Sequence, residues 1–456
     1  MGPVDFDSVG YLDFAPQRTS IYPAFLDMVS TLPNPISFSL FIQSAIYVVT
    51  TFVLLRCFLI HLKSVFMTTL VGFGLALNLY LQAFHTIILT ESLCFSLMNL
   101  LVALLVKVNF GKKTIEYQWF LLLGIVCGLL IALRPAMITV LPSTVLVMVL
   151  LCLNNGTLFV SRFLLLVGSA ISLLCVENLI HRTYHEKSVS LLPVMLFGKA
   201  SVLTTYEGFV IPSGLSQENE LLLAKIDGLL NPYEEWLTAN DSFIQKSNIK
   251  ANIEVFGQHN AIQALQAVDP TIPMPTLEDR AEIGAKVILG NLKQYFFHSI
   301  GYVFELWSVQ SLAFVHKVKG KLLPTFEMEA LNGALPNHFY SGGPLDPESK
   351  HYVNTLSVVV YPAFILLGFI SLLSAIFSWL LVVKSIFQKT ELNKSIQLLA
   401  SLQFVGWTNL IFVAFVNIPT PRYLMPHFAL FLIATSLFLL MLFRRYKHKF
   451  TIKNKA

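Results

Sequence analysis

Nine stretches of this chain are apolar for about as long as a lipid bilayer is thick. They lie near residues 36–60, 64–83, 87–108, 115–133, 136–153, 160–181, 355–384, 397–416 and 424–443. A hydrocarbon core of about 30 Å takes about 20 residues of α-helix. Helix is also the form in which one segment satisfies its own backbone away from water. The expectation is an all-α polytopic membrane protein with about nine transmembrane helices. The second and third stretches are separated by only a few residues, so the boundary between them is soft. Charge is scarce to match: 12% of the 456 residues are Asp, Glu, Lys or Arg, against about 25% in soluble domains. That excludes a single soluble globular protein and a disordered chain. A net charge of +5 over this length is no footprint for nucleic acid.

The position of the charges sets the organisation. Short loops carrying Lys63, Lys107, Lys112, Lys113, Arg162, Lys384, Lys389 and Lys394 alternate with loops almost free of Lys and Arg. The tail adds Arg444, Arg445, Lys447, Lys449, Lys453 and Lys455. The positive-inside rule makes these cytoplasmic. An acidic segment 1–35 then faces out, followed by a first bundle of about six helices over 36–181. An outer, mostly helical cap spans 182–354, a second bundle of about three helices spans 355–443, and a cytoplasmic basic tail spans 444–456. The cap holds 18 of the 26 carboxylates. Glu218–Leu230 and Leu277–Val303 read as amphipathic helices, with turns expected at Asn231-Pro232, Asp269-Pro270 and Gly342-Gly343-Pro344. Tyr295, Phe296, Phe297, Tyr302, Phe304 and Trp307 suit a membrane surface. The five cysteines lie in apolar runs without metal-ligand spacing. No cleavable signal peptide or lipidation motif is evident.

Outside the cap, few charges remain on the outer side. Beside Asp13 and Asp27 of the acidic segment they are Asp5, Asp7, Arg18, Glu91, Arg134, Glu177 and Arg422, with His85 and His427 nearby. An ionised group at membrane depth costs several kcal/mol, so a retained one is a functional candidate. Carboxylates beside arginines suit a site that handles an anionic group and moves a proton. Each residue also has a plainer reading. Asp5 and Asp7 suit a frayed terminus. Thr90-Glu91 suits a helix cap. Arg134 and Arg422 suit snorkelling anchors. His85 and His427 suit packing, and Tyr22 and Tyr423 suit belt aromatics.

Four motifs in this order resemble the GT-C glycosyltransferases that use polyprenyl-phosphate sugars. They are closest to the protein mannosyltransferase and aminoarabinose transferase-like group. The first is Asp7-Ser8-Val9-Gly10-Tyr11, continued by Arg18-Thr19-Ser20-Ile21-Tyr22-Pro23. The second is Thr90-Glu91, the third Gly128 to Arg134-Pro135, and the fourth Arg422-Tyr423-Leu424-Met425-Pro426. Members of that group carry a transmembrane helix ahead of the acidic segment, so two expectations stay open: a hydrophobic helix encoded upstream of Met1, or a protein that works without it. The 182–354 cap matches no motif of the family.

The resemblance implies a GT-C-like helical bundle and an inverting sugar transfer from a lipid donor to an acceptor hydroxyl on the outer face. It implies that Asp7, or Asp5 beside it, is the base. Glu91 would orient the acceptor, help bind a divalent cation (Mg or Mn) if one is used, or hold an arginine. Arg422, Arg134, Tyr423 and Arg18 would bind the donor phosphate, for which the arginine fork is suited. Tyr11, Tyr22 and His85 would position substrate. The implied partners are the polyprenyl-phosphate-linked sugar, a glycan, lipid or protein acceptor, and membrane lipids. A bacterial inner membrane is favoured over the endoplasmic reticulum. Two other classes stay open: an O-antigen polymerase or ligase, for which the cap offers only Arg182 and Arg280, and a lipid-linked sugar transporter or flippase.

Overall fold

A computed structural model of the chain describes residues 6–78, 81–82, 84–110, 117–152, 156–185, 189–239, 243–318, 347–388, 392–417 and 425–453. Among these the regular elements are all helical. The chain is a helical membrane protein, and among the described residues six helices are long and apolar enough to cross a bilayer. In chain order the helices of the first part are α1 (Phe6–Leu12), α2 (Ile21–Ser30), α3 (Pro35–Leu62), α4 (Val65–Leu77), α5 (Glu91–Phe110), α6 (Tyr117–Leu133), α7 (Val140–Cys152) and α8 (Gly156–Tyr184). Then come α9 (Leu192–Leu203), α10 (Gln217–Ala239), α11 (Phe243–His259), α12 (Ala261–Val268), α13 (Leu277–Gly290) and α14 (Leu292–Val318). The last three are α15 (Pro347–Gln388), α16 (Lys394–Val416) and α17 (Phe428–Lys453).

Each of the nine apolar stretches contains a helix. Those in α3, α5, α8, α15, α16 and α17 have spanning length, whereas α4, α6 and α7 are shorter, at 13, 17 and 13 residues. At 1.5 Å per residue the three short helices reach roughly 20–25 Å.

The bundle is built around α5, which is buried along most of its length. Its Leu, Val, Phe and Met side chains meet neighbours on all sides, as expected of a helix that is apolar all round. Helix α3 runs beside it in the same direction. Asn99 Nδ2 donates to Thr51 Oγ1 at 3.0 Å, and the Cys57 thiol donates to the Ala103 carbonyl at 3.3 Å. The opposite face of α3 leaves Phe41, Val48 and Phe52 exposed, as a lipid-facing surface requires.

Helices α6 and α8 approach through small residues. A Cβ on Gly124 would collide with the Leu166 carbonyl and Ser169 Oγ, and one on Gly128 would sit 3.0 Å from the Ala170 carbonyl. Gly124 and Gly128 form a small-xxx-small stripe that lets two backbones touch where lipid offers no hydrophobic drive. Gly124→Leu is therefore expected to destabilise the fold by about 1–3 kcal/mol through overpacking. Gly168→Leu, with nothing within 4 Å, should be near neutral. Unfolding of the purified variants in detergent checks this, and equal stability of the two would remove the argument.

The cap region has its own core, centred on Phe197, Leu223, Ile226, Ile253, Ile283 and Val287. The expected amphipathic helices are present. Asn291 separates α13 from α14 within the predicted 277–303 segment. Helix α13 begins with a reciprocal capping box between Thr276 and Asp279. Asp269 closes a turn by accepting from Thr271 N–H at 3.1 Å. The turn expected at Asn231-Pro232 is absent, because α10 continues through it. Tertiary packing of α10 outweighs the local preference of proline there. Gly342-Gly343-Pro344 lies outside the described residues.

A third cluster joins cap to bundle. Tyr302 and Leu306 of α14 pack on Leu410, Val413 and Ala414 of α16 and on Phe431, and Trp307 stacks on Trp407 with centroids 4.6 Å apart. The aromatics of α14 thus divide by helical period. Tyr302 and Trp307 face this seam, while Phe296, Phe297 and Phe304 stay exposed.

Candidate functional site at the Glu91 end of the bundle

The start of α5 and the end of α6 meet at one end of the bundle. The Thr90 carbonyl accepts the first helical hydrogen bond of α5, from Cys94 N–H at 2.9 Å. Glu91 sits in the first turn and Arg134 directly follows the last turn of α6. An acid at a helix N-terminus and a base at a C-terminus are each favoured by the helix dipole. Here they also find one another: Arg134 Nη1 lies 2.9 Å from Glu91 Oε1. Both side chains are buried, with 8% and 4% exposure. The cap reading of Glu91 thus holds in part, but the residue is also half of a buried ion pair. Pro135 turns the chain away from the arginine into a short 3-10 turn.

The N-terminal segment lies over this pair. The Tyr11 hydroxyl is 3.4 Å from Thr90 Oγ1, which donates to Glu91 Oε2 at 3.4 Å. Arg18 lies across the Tyr11 ring, its guanidinium carbon 4.6 Å from the centroid. Gly10 makes room for it, since a Cβ there would sit 2.9 Å from Arg18 Nε. Tyr22 meets the Tyr11 ring edge-on at 5.2 Å, and its hydroxyl donates to Gln43 Oε1 at 3.1 Å. Gln43 Nε2 donates to the carbonyls of His85 and Ile87 at 3.1 and 2.9 Å. His85 Nδ1 is 2.6 Å from Ser92 Oγ. Burial, and next the negative charge of Glu91, push both tyrosine hydroxyls well above their ordinary range. They stay protonated and available as donors.

The segment is held in place from the far side by α8. The Ser20 N–H and hydroxyl donate to Glu177 Oε1 at 3.0 and 3.2 Å, and the hydroxyl also reaches the Glu177 carbonyl at 2.8 Å. His181 and His185 lie 3.2 and 2.7 Å from the carbonyls of Pro16 and Phe14. Phe14 has a left-handed backbone, φ 45°, which costs a non-glycine residue roughly 1–2 kcal/mol. Its ring is clamped by His181, Tyr184 and His185 at 5.8, 4.8 and 4.8 Å. Residues 11–22 are therefore built into the fold rather than frayed. Glu177, a candidate from its charge alone, is the anchor of that strap.

Of the residues singled out in the sequence, Tyr11, Arg18, Tyr22, His85, Glu91 and Arg134 converge here through these contacts. Asp7 contributes backbone to α1, one turn before Tyr11, and its side chain lies outside what the structure describes, as does all of Asp5. Arg422 and Tyr423 also lie outside the described residues. The turn that follows them, Met425–His427, packs against α5. Among the described residues no three His, Cys, Asp or Glu side chains are grouped as metal ligands. Glu91 is engaged by Arg134 and Thr90, so the described residues do not offer the several oxygens a Mg or Mn ion takes.

A second buried polar cluster, not foreseen from the sequence, ties the cap to α16. Lys199 is fully buried, and its ammonium lies 3.1 Å from Glu254 Oε2. It also donates to the carbonyls of Asn417 and Ala414 at 3.0 and 3.4 Å. Tyr302 and His298 donate to the same carboxylate oxygen at 2.7 and 3.1 Å, and Gln258 donates to Oε1 at 3.3 Å. The Tyr206 hydroxyl pairs with His298 Nδ1 at 3.1 Å. Burial, outweighing the pull of Glu254, lowers His298 to about 4. It is therefore a neutral imidazole, with its proton on Nε2 toward Glu254. Burial would raise the Glu254 carboxyl, but Lys199 first and the His298 hydrogen bond next bring it below its usual value. Lys199, Glu254, Gln258, His298 and Tyr302 are all buried and satisfy one another, which suits a docking joint rather than a reaction site. The signal in the sequence was Lys199 itself, the single charge in the apolar helix Leu192–Leu203.

No family model, curated protein or solved structure matches this chain.

Proposed function

We propose that the protein is an integral membrane glycosyltransferase of the GT-C type. It moves a sugar from a polyprenyl-phosphate donor to an acceptor hydroxyl on the outer face of the membrane, with inversion. One observation carries the reading: the buried Glu91–Arg134 pair lies directly beneath Tyr11 and Arg18 of an anchored N-terminal segment. An ion pair at membrane depth is costly, and this one sits where the sequence motifs place an acceptor base beside phosphate-binding arginines. In this reading α4, α6 and α7 complete nine crossings with the six long helices. The lysine-rich loops face the cytoplasm of a bacterial cell and the cap faces out.

The chemistry assigns one role to each group. Asp7, with Asp5 as its neighbour, takes the proton of the acceptor hydroxyl. The acceptor oxygen then bonds to the anomeric carbon as the bond to the phosphate oxygen breaks, and the polyprenyl phosphate leaves with the electron pair. Charge grows on the phosphate, and arginines stabilise it through paired hydrogen bonds. Glu91 is a positioning residue that fixes the Arg134 fork. Tyr11 holds Arg18 by its ring face, a cation–π contact. Arg422 and Tyr423 join this group in the reading, since the turn immediately after them seats on α5. No step is routed through a divalent cation.

The test uses membranes carrying the full chain and a radiolabelled polyprenyl-phosphate sugar, with release of polyprenyl phosphate as the readout. Asp7→Asn is expected to lose about 10²–10⁴-fold in rate, the usual contribution of a general base. Asp27→Asn, an exposed acid of the same segment, should keep full activity. Full activity in Asp7→Asn would refute the base assignment. Transbilayer movement of the lipid-linked sugar without its consumption would replace the transferase reading with a flippase.

A further inference from the structure

The other end of α5 carries a groove that none of this chemistry uses. Glu91 and Lys107 are sixteen residues apart on one helix, roughly 24 Å along its axis. Around Lys107 the surfaces of α3, α5 and α6 enclose a cavity of about 430 Å³, within the range of about 300–1,000 Å³ typical of ligand sites. Its inner wall is Leu100, Ala103 and Leu104 of α5. It opens sideways between Phe52 and Ile60 on α3 and Leu122 on α6, all exposed at the bundle surface. In a helical membrane protein that opening faces acyl chains.

The mouth is cationic. Arg56 and His61 of α3 and Lys107 of α5 share the lining, and among the described residues no carboxylate lines it. Lys107 Nζ is 5.3 Å from the centroid of the Trp119 ring, which holds the ammonium beside the groove. Among the described residues neither Arg56 nor Lys107 forms a salt bridge. Arg56 is six residues from the end of α3 and Lys107 three from the end of α5. That places their Cα atoms roughly 5–9 Å from the helix ends, within reach of phosphate groups at the membrane surface. Two snorkelling cations alone would be ordinary. Snorkelling does not require the apolar slot between them.

We propose that this groove binds an anionic phospholipid of the adjoining leaflet. One acyl chain lies along the α5 wall, and the phosphate sits between Arg56 and Lys107. The apolar walls select a lipid over a soluble phosphate, and the two cations select an anionic headgroup over a zwitterionic one. The inference stands apart from the transferase reading, because it shares no residue with the Glu91 site.

Native mass spectrometry of the full chain tests it, with phosphatidylglycerol or phosphatidylcholine of identical chains titrated from mixed micelles. Wild type should retain phosphatidylglycerol roughly tenfold more than phosphatidylcholine. The double variant Arg56→Gln, Lys107→Gln should lose that preference. Lys63→Gln with Arg445→Gln removes the same charge at exposed positions off the groove and should keep it. A photoactivatable phosphatidylglycerol on the wild type should label α3 around Phe52–His61 above the exposed face of α8, a readout that needs no variant. Equal loss in both doubles, labelling spread evenly over the helices, or displacement of the lipid by inorganic phosphate would each overturn the proposal.

Discussion

Arg134→Met is expected to cost about 3–5 kcal/mol of stability, and adding Glu91→Leu to the same chain to recover most of it. Glu91 and Arg134 are almost wholly buried and 2.9 Å apart. Removing the arginine leaves a carboxylate in an apolar setting, with Thr90 Oγ1 as its remaining described donor. The cost is the desolvation of an unpaired charge, and it vanishes when both charges are replaced by apolar groups of similar volume. Unfolding of the four proteins in one detergent, as a double-mutant cycle, should give a coupling energy of at least about 1–3 kcal/mol. If the pair serves phosphate binding, the double variant will be as stable as wild type yet lack transferase activity. A stable double variant with full activity would make the pair a packing device and remove the central support for the site. Glu91→Asp separates the two roles further. It keeps the charge but shortens its reach, so stability should fall less than the rate.

The path from sequence to this site was uneven, for physical reasons. Length and apolarity alone marked the bundle, because a bilayer-spanning helix must be about 20 residues long and nearly uncharged. Scarcity of charge then made each remaining ionisable group informative, so Glu91, Arg134 and Arg18 were legible one by one. Their pairing was not. Nothing in a linear sequence says that Glu91 takes Arg134 for its partner while Arg18 lies on the Tyr11 ring. That follows from the short turn around Pro135 and from the space at Gly10. The anchoring of the N-terminal segment was illegible for another reason. Pro16 and Ser20 are far in the chain from Glu177 and His181, each is ordinary on its own, and their contacts exist only once α8 is in place. In the cap, charge is plentiful, so Glu254 looked like any surface acid among many. A carboxylate is informative in an apolar segment and anonymous in a polar one. The helices were legible by period, whereas Asn231-Pro232 was misleading because a local turn preference yields to the packing of a long helix.

The cap joint gives the second large effect. Lys199→Met is expected to cost about 3–5 kcal/mol. It strands the Glu254 carboxylate in the interior and leaves the Asn417 carbonyl at the end of α16 without the donor that closes it. The seam of Tyr302, Leu306 and Trp307 on α16 holds the rest of the interface, so the loss should appear as undocking of the cap before the bundle unfolds. Limited proteolysis within 189–318 should therefore accelerate while unfolding of the bundle changes little. Lys199→Met with Glu254→Leu should restore protection. The same joint sets a pH dependence. His298 is lowered in the folded protein to about 4 from 6.5, and Glu254 is lowered below 4.5. For both groups the unfolded or undocked form binds protons more readily. Their contribution is complete above about pH 6.5 and is lost as pH falls toward 4, with Glu254 continuing the loss below that. Lys250, pushed down to about 7 by burial, makes its own change above pH 7 and leaves this window to the other two groups. His298→Asn keeps a donor near Glu254 without a titrating ring. It should flatten the decline between pH 6.5 and 4 while leaving protection at pH 7.5 within a few-fold of wild type. An unchanged pH profile in that variant would show that the imidazole does not govern docking of the cap.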